Sequence, residues 1–102
     1  MSLANLEPLT HKNGKSMIVN GYKIEPGADL REANLLWANL QNTNLTGANL
    51  TDANLFRADL TDADLTDAHL TGANLTRANL FLTDLQHAHL TGATMPDGSI
   101  HE

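Results

Sequence analysis

Residues 48–67 read ANLTDANLFRADLTDADLTD and repeat one pattern every five residues: alanine, asparagine or aspartate, leucine, and two variable positions. Leucine keeps its place in this pattern without a gap from Leu30 to Leu90, thirteen times in all. Met95 and Ile100 take the next two places, so the phase persists almost to the last residue. An internal period of this regularity indicates a repeat architecture, in which each repeat buries its apolar side chains against its neighbours.

The five-residue period excludes a continuous helix and a continuous strand. Leucines five residues apart on an α-helix would be rotated by about 140° from one another and would spiral over every face. On a strand, an odd step would place successive leucines on opposite faces. A short extended segment followed by a corner does give a one-sided core, because the alanine and the leucine then both point inward. Turn-forming residues such as Gly47, Asp62 and Gly72 occupy the corner positions, and four corners would close a coil of twenty residues.

This pattern resembles the pentapeptide-repeat proteins, strongly over residues 28–97 and weakly over residues 98–102. Departures are mild: Thr43 and Thr83 replace the alanine, and two histidines replace the Asn or Asp. The resemblance implies an all-β fold, a right-handed quadrilateral parallel β-helix. Fourteen repeats would make about 3.5 coils, a column about 17 Å tall at the usual strand spacing. The resemblance implies no activity, because members of one fold family serve many roles.

The chain divides into a short N-terminal cap, residues 1–27, and the β-helix, residues 28–102. A cap is needed because the first coil would otherwise expose its leucines and an unpaired strand edge. The dipeptides at 13–14 and 20–21 are both Asn-Gly, which favours hairpin turns, and short strands are predicted at 17–19 and 22–24. Tyr22 and Ile24 are expected to cover the first leucine layer.

The predicted core is the inward column of repeat leucines and its continuation. Its last members, with Ile100, are expected to line an open or thinly covered C-terminal end. The core residues are Leu30, Leu35, Leu40, Leu45, Leu50, Leu55, Leu60, Leu65, Leu70, Leu75, Leu80, Leu85, Leu90 and Met95.

Charge and composition limit the partners. Twelve acidic residues against six lysines and arginines give a net charge of −6, which argues against nucleic acid or an anionic membrane as a partner. There is no cysteine, which excludes disulfides and zinc–thiolate sites. No apolar run approaches the ~18 residues of a membrane span, and residues 1–5 do not resemble an export signal. We therefore expect a cytoplasmic protein.

Steps of twenty residues place side chains in shared outward columns. Asn34, Asn54 and Asn74 share one column, where stacked amides could hydrogen-bond as a ladder. The same steps place three imidazoles and one carboxylate in a grid of about 5 by 7 Å. This arrangement predicts a candidate site for zinc or nickel. The alternative is that these side chains are simply solvated on the outer surface. The candidate metal ligands are Asp67, His69, His87 and His89.

A second group of outward residues is apolar. Trp37 lies under Arg57, and the two are predicted to form a cation–π pair. Leu36 lies under Phe56. We favour the interpretation that the N-terminal cap folds over Leu36 and Trp37; in the alternative, these two and Phe56 form a partner site.

Phe81 and Leu82 also lie at outward positions, too far along the coil for the cap to reach. They are the stronger candidates for self-association or for binding a partner.

The sequence shows no arrangement of residues that is typical of a catalytic site. Serine occurs only at Ser2, Ser16 and Ser99, outside the core repeats. The carboxylates would lie on convex faces, whereas catalytic groups need a concave, desolvated pocket. We therefore predict that the protein is not an enzyme and uses no cofactor.

The predicted function is a protein-interaction or scaffold module with an unknown protein partner, with a homodimer through the C-terminal end as a further prediction. One alternative, implied by the resemblance, is a DNA-mimicking regulator of a type II topoisomerase; even a dimer of this column would reach only ~35 Å. The other alternative is a surface metal-binding module.

Overall fold

The computed structural model describes residues 17–102. It begins with a hairpin of two antiparallel strands, β1 (Met17–Val19) and β2 (Tyr22–Ile24). Asn20 and Gly21 join them, and both have positive φ angles, 52° and 85°, as a two-residue type I′ turn requires. Both strands lie where the sequence predicts them. The other predicted turn, at 13–14, is outside the described residues.

From residue 29 onward, the chain winds into a coil whose successive turns pair by parallel bridges between residues twenty apart. The first bridge joins Asp29 to Asn49, and the last joins Asn74 to Thr94. At the first bridge, the amide of Leu30 donates to the carbonyl of Asn49 at 2.7 Å, and the amide of Asn49 donates to that of Ala28 at 2.9 Å. The twenty-residue period predicted from the sequence is therefore the period of the backbone pairing.

Each corner of the coil is a four-residue turn closed by a backbone hydrogen bond. In one of them, the amide of Ala53 donates to the carbonyl of Leu50 at 3.0 Å, and Asp52 has a φ of 60°. A positive φ at the third residue only is the geometry of a type II turn. This conformation is costly for most residues with a side chain, which explains the glycine, asparagine and aspartate at many corners.

The leucine column forms the core, as its inward position predicts. The leucines from Leu30 to Leu75 are between 0 and 2% exposed. Thr43, which replaces an alanine, is also fully buried, and its hydroxyl donates to the carbonyl of Leu40 at 2.8 Å. The hydroxyl of Thr83 donates to the carbonyl of Leu60 at 2.7 Å. Threonine is tolerated at these inward positions because its polar atom has a partner there.

The β1–β2 hairpin packs on the first coil. Ile24 is fully buried, and Tyr22 packs against the same core. The amide of Asn34 donates to the Tyr22 hydroxyl at 3.1 Å, and the Asn20 side chain donates to the carbonyl of Asn34 at 3.2 Å. The hairpin is thus fixed to the end of the column, above the first leucine layer.

The opposite end is more thinly covered. The core side chains there are only partly buried, whereas those in the middle of the column are fully so. The chain turns back after Pro96, and Ile100 forms an antiparallel bridge with Thr94. Ile100 itself is 60% exposed. The partly buried core residues are Leu80, Leu85, Leu90 and Met95.

Within residues 17–102, no helix has the length and apolar character needed to cross a membrane.

Candidate interaction surface

The outward Asn and Asp side chains of the repeats are used by the fold itself. The Asn74 Oδ1 atom accepts a hydrogen bond from the Thr76 amide at 3.0 Å and another from the Thr76 hydroxyl at 2.6 Å. Asp64 and Thr66 form the same pair of contacts. This is an Asx turn, in which a side chain closes the corner that follows it.

The amide ladder predicted for the Asn34, Asn54 and Asn74 column is therefore not what holds these side chains. Each directs its Oδ1 atom to the backbone amide two residues further along its own coil, at 3.3, 3.0 and 3.0 Å respectively. Because each Oδ1 atom accepts a hydrogen bond within its own corner, these three asparagines stabilise the turns.

The structure brings together two of the four candidate metal ligands. The rings of His69 and His89 stack with centroids 4.7 Å apart and planes 7° apart. Imidazole lone pairs lie in the plane of the ring, so parallel stacked rings do not direct their nitrogen atoms at one shared point. Asp67 and His87 lie at the preceding corner, both in left-handed backbone. Among residues 17–102, no group of three His, Asp or Glu side chains is placed to hold a metal ion.

Leu36 and Trp37 are not covered by residues 17–27, and the rest of the predicted cap lies outside the described residues, so the expected cover stays a prediction. Leu36 is 41% exposed and Trp37 is 61% exposed. Tyr22 and Asn20 anchor the hairpin to the backbone of Asn34, two residues before Leu36.

The predicted cation–π pair is confirmed. The guanidinium carbon of Arg57 lies 4.7 Å from the centroid of the Trp37 ring. It also lies 5.7 Å from the ring of Phe56, which is half-buried. The arginine thus bridges two aromatic side chains of neighbouring coils.

Phe81 and Leu82 form the other exposed apolar group, on the next corner of the coil. They are 66% and 65% exposed. Leu82 has a φ of 58°, in the left-handed region. The same position in the two preceding coils is filled by Asn42 and Asp62, residue types that tolerate this backbone.

Asp29 and Arg31 form a two-bonded ion pair at the start of the coil, with both N–O distances 2.8 Å. The hydrogen bonds from Arg31 lower the pKa of the Asp29 carboxyl to about 2. Both side chains are exposed and line a depression with Glu32 that is open to solvent. A carboxylate paired in this way on an open surface has no apparatus for proton transfer.

Arg57 and Arg77 are functional candidates that were not among the predicted binding residues, although Arg57 was predicted to stack on Trp37. Lys23 lies 3.6 Å from Glu25, and Arg31 is paired with Asp29. The two other arginines have no ion-pair partner among the described residues. Their twenty-residue spacing was a signal available in the sequence, but pairing can be judged only from side-chain positions.

Comparison with known proteins places this geometry in a family. The family model "Pentapeptide repeats" matches in 8 copies, over residues 27–56 and 58–95. Comparison with curated protein sequences gives no match.

Solved structures of pentapeptide repeat proteins are similar to the chain. HetL, a pentapeptide repeat protein involved in heterocyst differentiation regulation in the cyanobacterium Nostoc, is 42% identical over 76% of this chain and 40% of its own, with a TM-score of 0.51. A pentapeptide repeat protein from the thylakoid lumen of Arabidopsis thaliana is 39% identical over 69% of this chain and 52% of its own, with a TM-score of 0.51. The chain therefore spans about half or less of the length of these two relatives. With the family model matching most of its length, this chain belongs to the pentapeptide-repeat family, whose fold is the right-handed quadrilateral β-helix.

Proposed function

We propose that this protein is a non-enzymatic interaction module that binds a protein partner through the Phe81–Leu82 corner. The observation that carries the proposal is the combination of exposure and backbone conformation at this corner. A left-handed conformation costs a residue such as leucine about 1–2 kcal/mol, and Leu82 gains little packing in return because it is mostly exposed. Residues kept in an unfavourable conformation at an exposed position are typical of functional sites.

The family context agrees with a binding role. Pentapeptide-repeat proteins are generally structural or interaction modules without enzymatic activity. HetL is involved in the regulation of heterocyst differentiation. We extend to this chain only the general role of binding another protein.

The scaffold that presents this corner would consist of about 3.5 coils, closed at its N-terminal end by residues 1–27. Two features support this arrangement: the bridges that run from Asp29 to Thr94, and the hairpin packed over the first leucine layer. A filled leucine column is rigid, so it would hold Phe81 and Leu82 in place before a partner arrives.

The test is crosslinking and capture from an extract of the source cells with tagged wild type and the double variant Phe81→Ser/Leu82→Asn. We expect a protein captured by the wild type to be lost with the variant. Unfolding is not expected to cause the loss, since asparagine accepts the left-handed backbone better than leucine does.

The matched control is Thr61→Ser/Asp62→Asn, which changes the same two positions one coil earlier. It should capture the same partner as the wild type. Equal capture by the Phe81→Ser/Leu82→Asn variant would contradict the proposal.

A further inference from the structure

Trp37, Arg57 and Arg77 occupy one corner position in three successive coils, and we call them the arginine ridge. The Trp37 amide donates to the carbonyl of Phe56, and the Arg57 amide donates to that of Thr76, both at 2.9 Å. These bonds stack the three positions at the spacing of neighbouring strands, about 4.8 Å. The ridge therefore runs parallel to the axis of the column.

Both arginines of the ridge lack an acidic partner within residues 17–102. This is unexpected on a chain with a net charge of −6, where carboxylates outnumber cations two to one. Two positive side chains at the same position of neighbouring coils also repel each other. A bound group with negative charge would remove that repulsion.

The Arg57 side chain is already positioned to bind such a group. Its guanidinium lies over the ring of Trp37 and close to that of Phe56. Stacking uses the flat face of the guanidinium and leaves the N–H groups at its edge free to bind a carboxylate. Less conformational freedom is then lost on binding, which favours affinity.

The backbone of the ridge gives an independent observation. Trp37, Arg57 and Arg77 have φ angles of 59°, 55° and 59°. The other three corner columns each contain glycine, asparagine or aspartate among their left-handed residues. The left-handed residues of this column include none of these types, although the next position in the stack is Asp97, which is not among the residues with positive φ. Trp37, Arg57 and Arg77 are therefore present despite a conformational cost at each of their three coils.

We propose that the arginine ridge binds an acidic segment of a partner protein, with carboxylates on Arg57 and Arg77 and a neighbouring apolar side chain against Leu36 and Trp37. We choose an acidic segment because its negative charges complement the positive charges of the two arginines. Exposed Leu36 beside the ridge supplies the apolar contact. The ridge lies on a different corner from Phe81 and Leu82, so this proposal does not depend on the proposed function.

A polyanion such as duplex DNA would also be attracted by two arginines, but it would extend past the ridge over the rest of a protein whose net charge is −6. A short acidic segment meets the ridge alone. The net charge therefore favours a peptide over a nucleic acid.

The test begins with display selection of random twelve-residue peptides on the full chain, with counter-selection on Arg57→Gln/Arg77→Gln. We expect the enriched peptides to contain Asp or Glu next to an apolar residue. Selected peptides are then titrated against the free protein by fluorescence, because Trp37 is the only tryptophan in the chain and reports on the ridge directly. The signal should saturate, and binding should weaken as salt is added.

Arg77→Gln tests the ridge with its reporter intact, since it leaves the Arg57–Trp37 pair in place. We expect peptide affinity to fall about tenfold or more, the usual effect of losing a hydrogen bond between charged groups. Arg31→Gln is the matched control, because Arg31 is already paired with Asp29, and its affinity should equal that of the wild type. Unchanged thermal unfolding of Arg77→Gln would show that the fold is intact.

Several results would overturn the proposal. They are a selection that enriches no acidic peptides, equal binding by Arg77→Gln, and equal binding of peptides whose acidic residues are replaced by Asn and Gln. Tighter binding of a duplex DNA oligonucleotide would identify a nucleic acid as the occupant instead. Sedimentation showing a wild-type dimer that Arg57→Gln/Arg77→Gln abolishes would identify a second copy of the chain.

Discussion

At the scale of single residues, the corner residues combine an unfavourable left-handed backbone with side chains that are exposed to solvent. Many corner positions carry residues that tolerate positive φ, and the exceptions are informative. Leu82 adopts a φ of 58° with two-thirds of its surface in solvent. Neither packing nor backbone preference explains a leucine at this position, which is why we assign it to binding.

Leu82→Asn is expected to raise the free energy of unfolding by about 1 kcal/mol, because asparagine relieves the left-handed strain and little packing is lost. Urea unfolding followed by circular dichroism measures the change. Phe81→Asn is the control, since Phe81 is equally exposed but is not among the residues with positive φ. A gain at Leu82 no larger than the change at Phe81 would show that strain is not released there.

At the scale of the corner and the coil, the repeated Asn or Asp acts as a turn-closing element. Asn74→Ala removes the acceptor of two hydrogen bonds from Thr76 and is expected to cost about 1–2 kcal/mol. Thr76→Val removes one of the two and should cost about half as much. Thermal or urea unfolding measures both.

The control for this corner is Thr71→Val, because Thr71 follows His69, which carries no side-chain oxygen. Its effect should be smaller than that of Thr76→Val. Equal effects at the two threonines would mean that the hydroxyl matters for a reason other than the Asx turn.

Asp59 links two neighbouring coils and makes this contact sensitive to pH. Burial of Asp59 raises its pKa, but the hydrogen bonds from Thr61 and Gln41 together outweigh this, and the pKa lies below its usual value. The Gln41 amide reaches it from the preceding coil at 2.6 Å. A carboxyl with a lowered pKa contributes stability above its unfolded pKa of about 4 and loses it as the pH falls through the folded pKa.

Asp59→Asn should therefore be less stable than the wild type at neutral pH and should lose less stability on acidification below about pH 4. Unfolding free energies measured between about pH 7 and pH 2 test this. Gln41→Ala keeps the Asp59 carboxyl but removes one of its hydrogen-bond donors, so its pH profile should lie between those of the wild type and Asp59→Asn. Parallel profiles for all three proteins would contradict the role of Asp59.

The sequence was sufficient to predict the repeat and its inward and outward positions, but not which groups the outward side chains contact. Leucine at every fifth position leaves one arrangement with an apolar interior, so the coil period could be predicted. The Asn20–Gly21 dipeptide allowed the two hairpin strands to be predicted. Whether Asn74 bonds to the next coil or to its own corner depends on which donor lies nearer, and the period does not determine that. The same applies to the His69 and His89 rings, whose stacking depends on side-chain positions that the period does not determine.

At the scale of the whole molecule, the residues that stabilise the column are different from those that we propose bind partners. Each coil rests only on its neighbours, so stability is close to a sum of local contributions. The inward column is filled by leucine side chains that are buried from Leu30 to Leu75, and outward Asn and Asp side chains such as Asn74 and Asp64 close turns. The surface that remains for recognition is at the corners, where the Phe81–Leu82 pair and the arginine ridge both lie.

A stack of this kind should also lose stability unequally along its length. Leu55 is fully buried in the middle of the column, whereas Leu90 near the C-terminal end is only partly buried. Leu55→Ala is expected to cost about 2–5 kcal/mol, the range for a leucine removed from a closed core. Leu90→Ala should cost less than half as much, because its side chain is already in contact with water and leaves a smaller cavity.

Hydrogen exchange gives an independent measure of the same gradient. The amide of Leu55 donates to the carbonyl of Asn74 at 2.8 Å, while that of Leu90 has no such partner in a following coil among residues 17–102. We expect slow exchange at Leu55 and fast exchange at Leu90, with intermediate rates at the last paired coil. Equal protection at both ends, together with equal costs for the two alanine variants, would mean that the C-terminal end is covered in solution. A second copy of the chain stacked on that end would then be the first explanation to test, by sedimentation at increasing protein concentration.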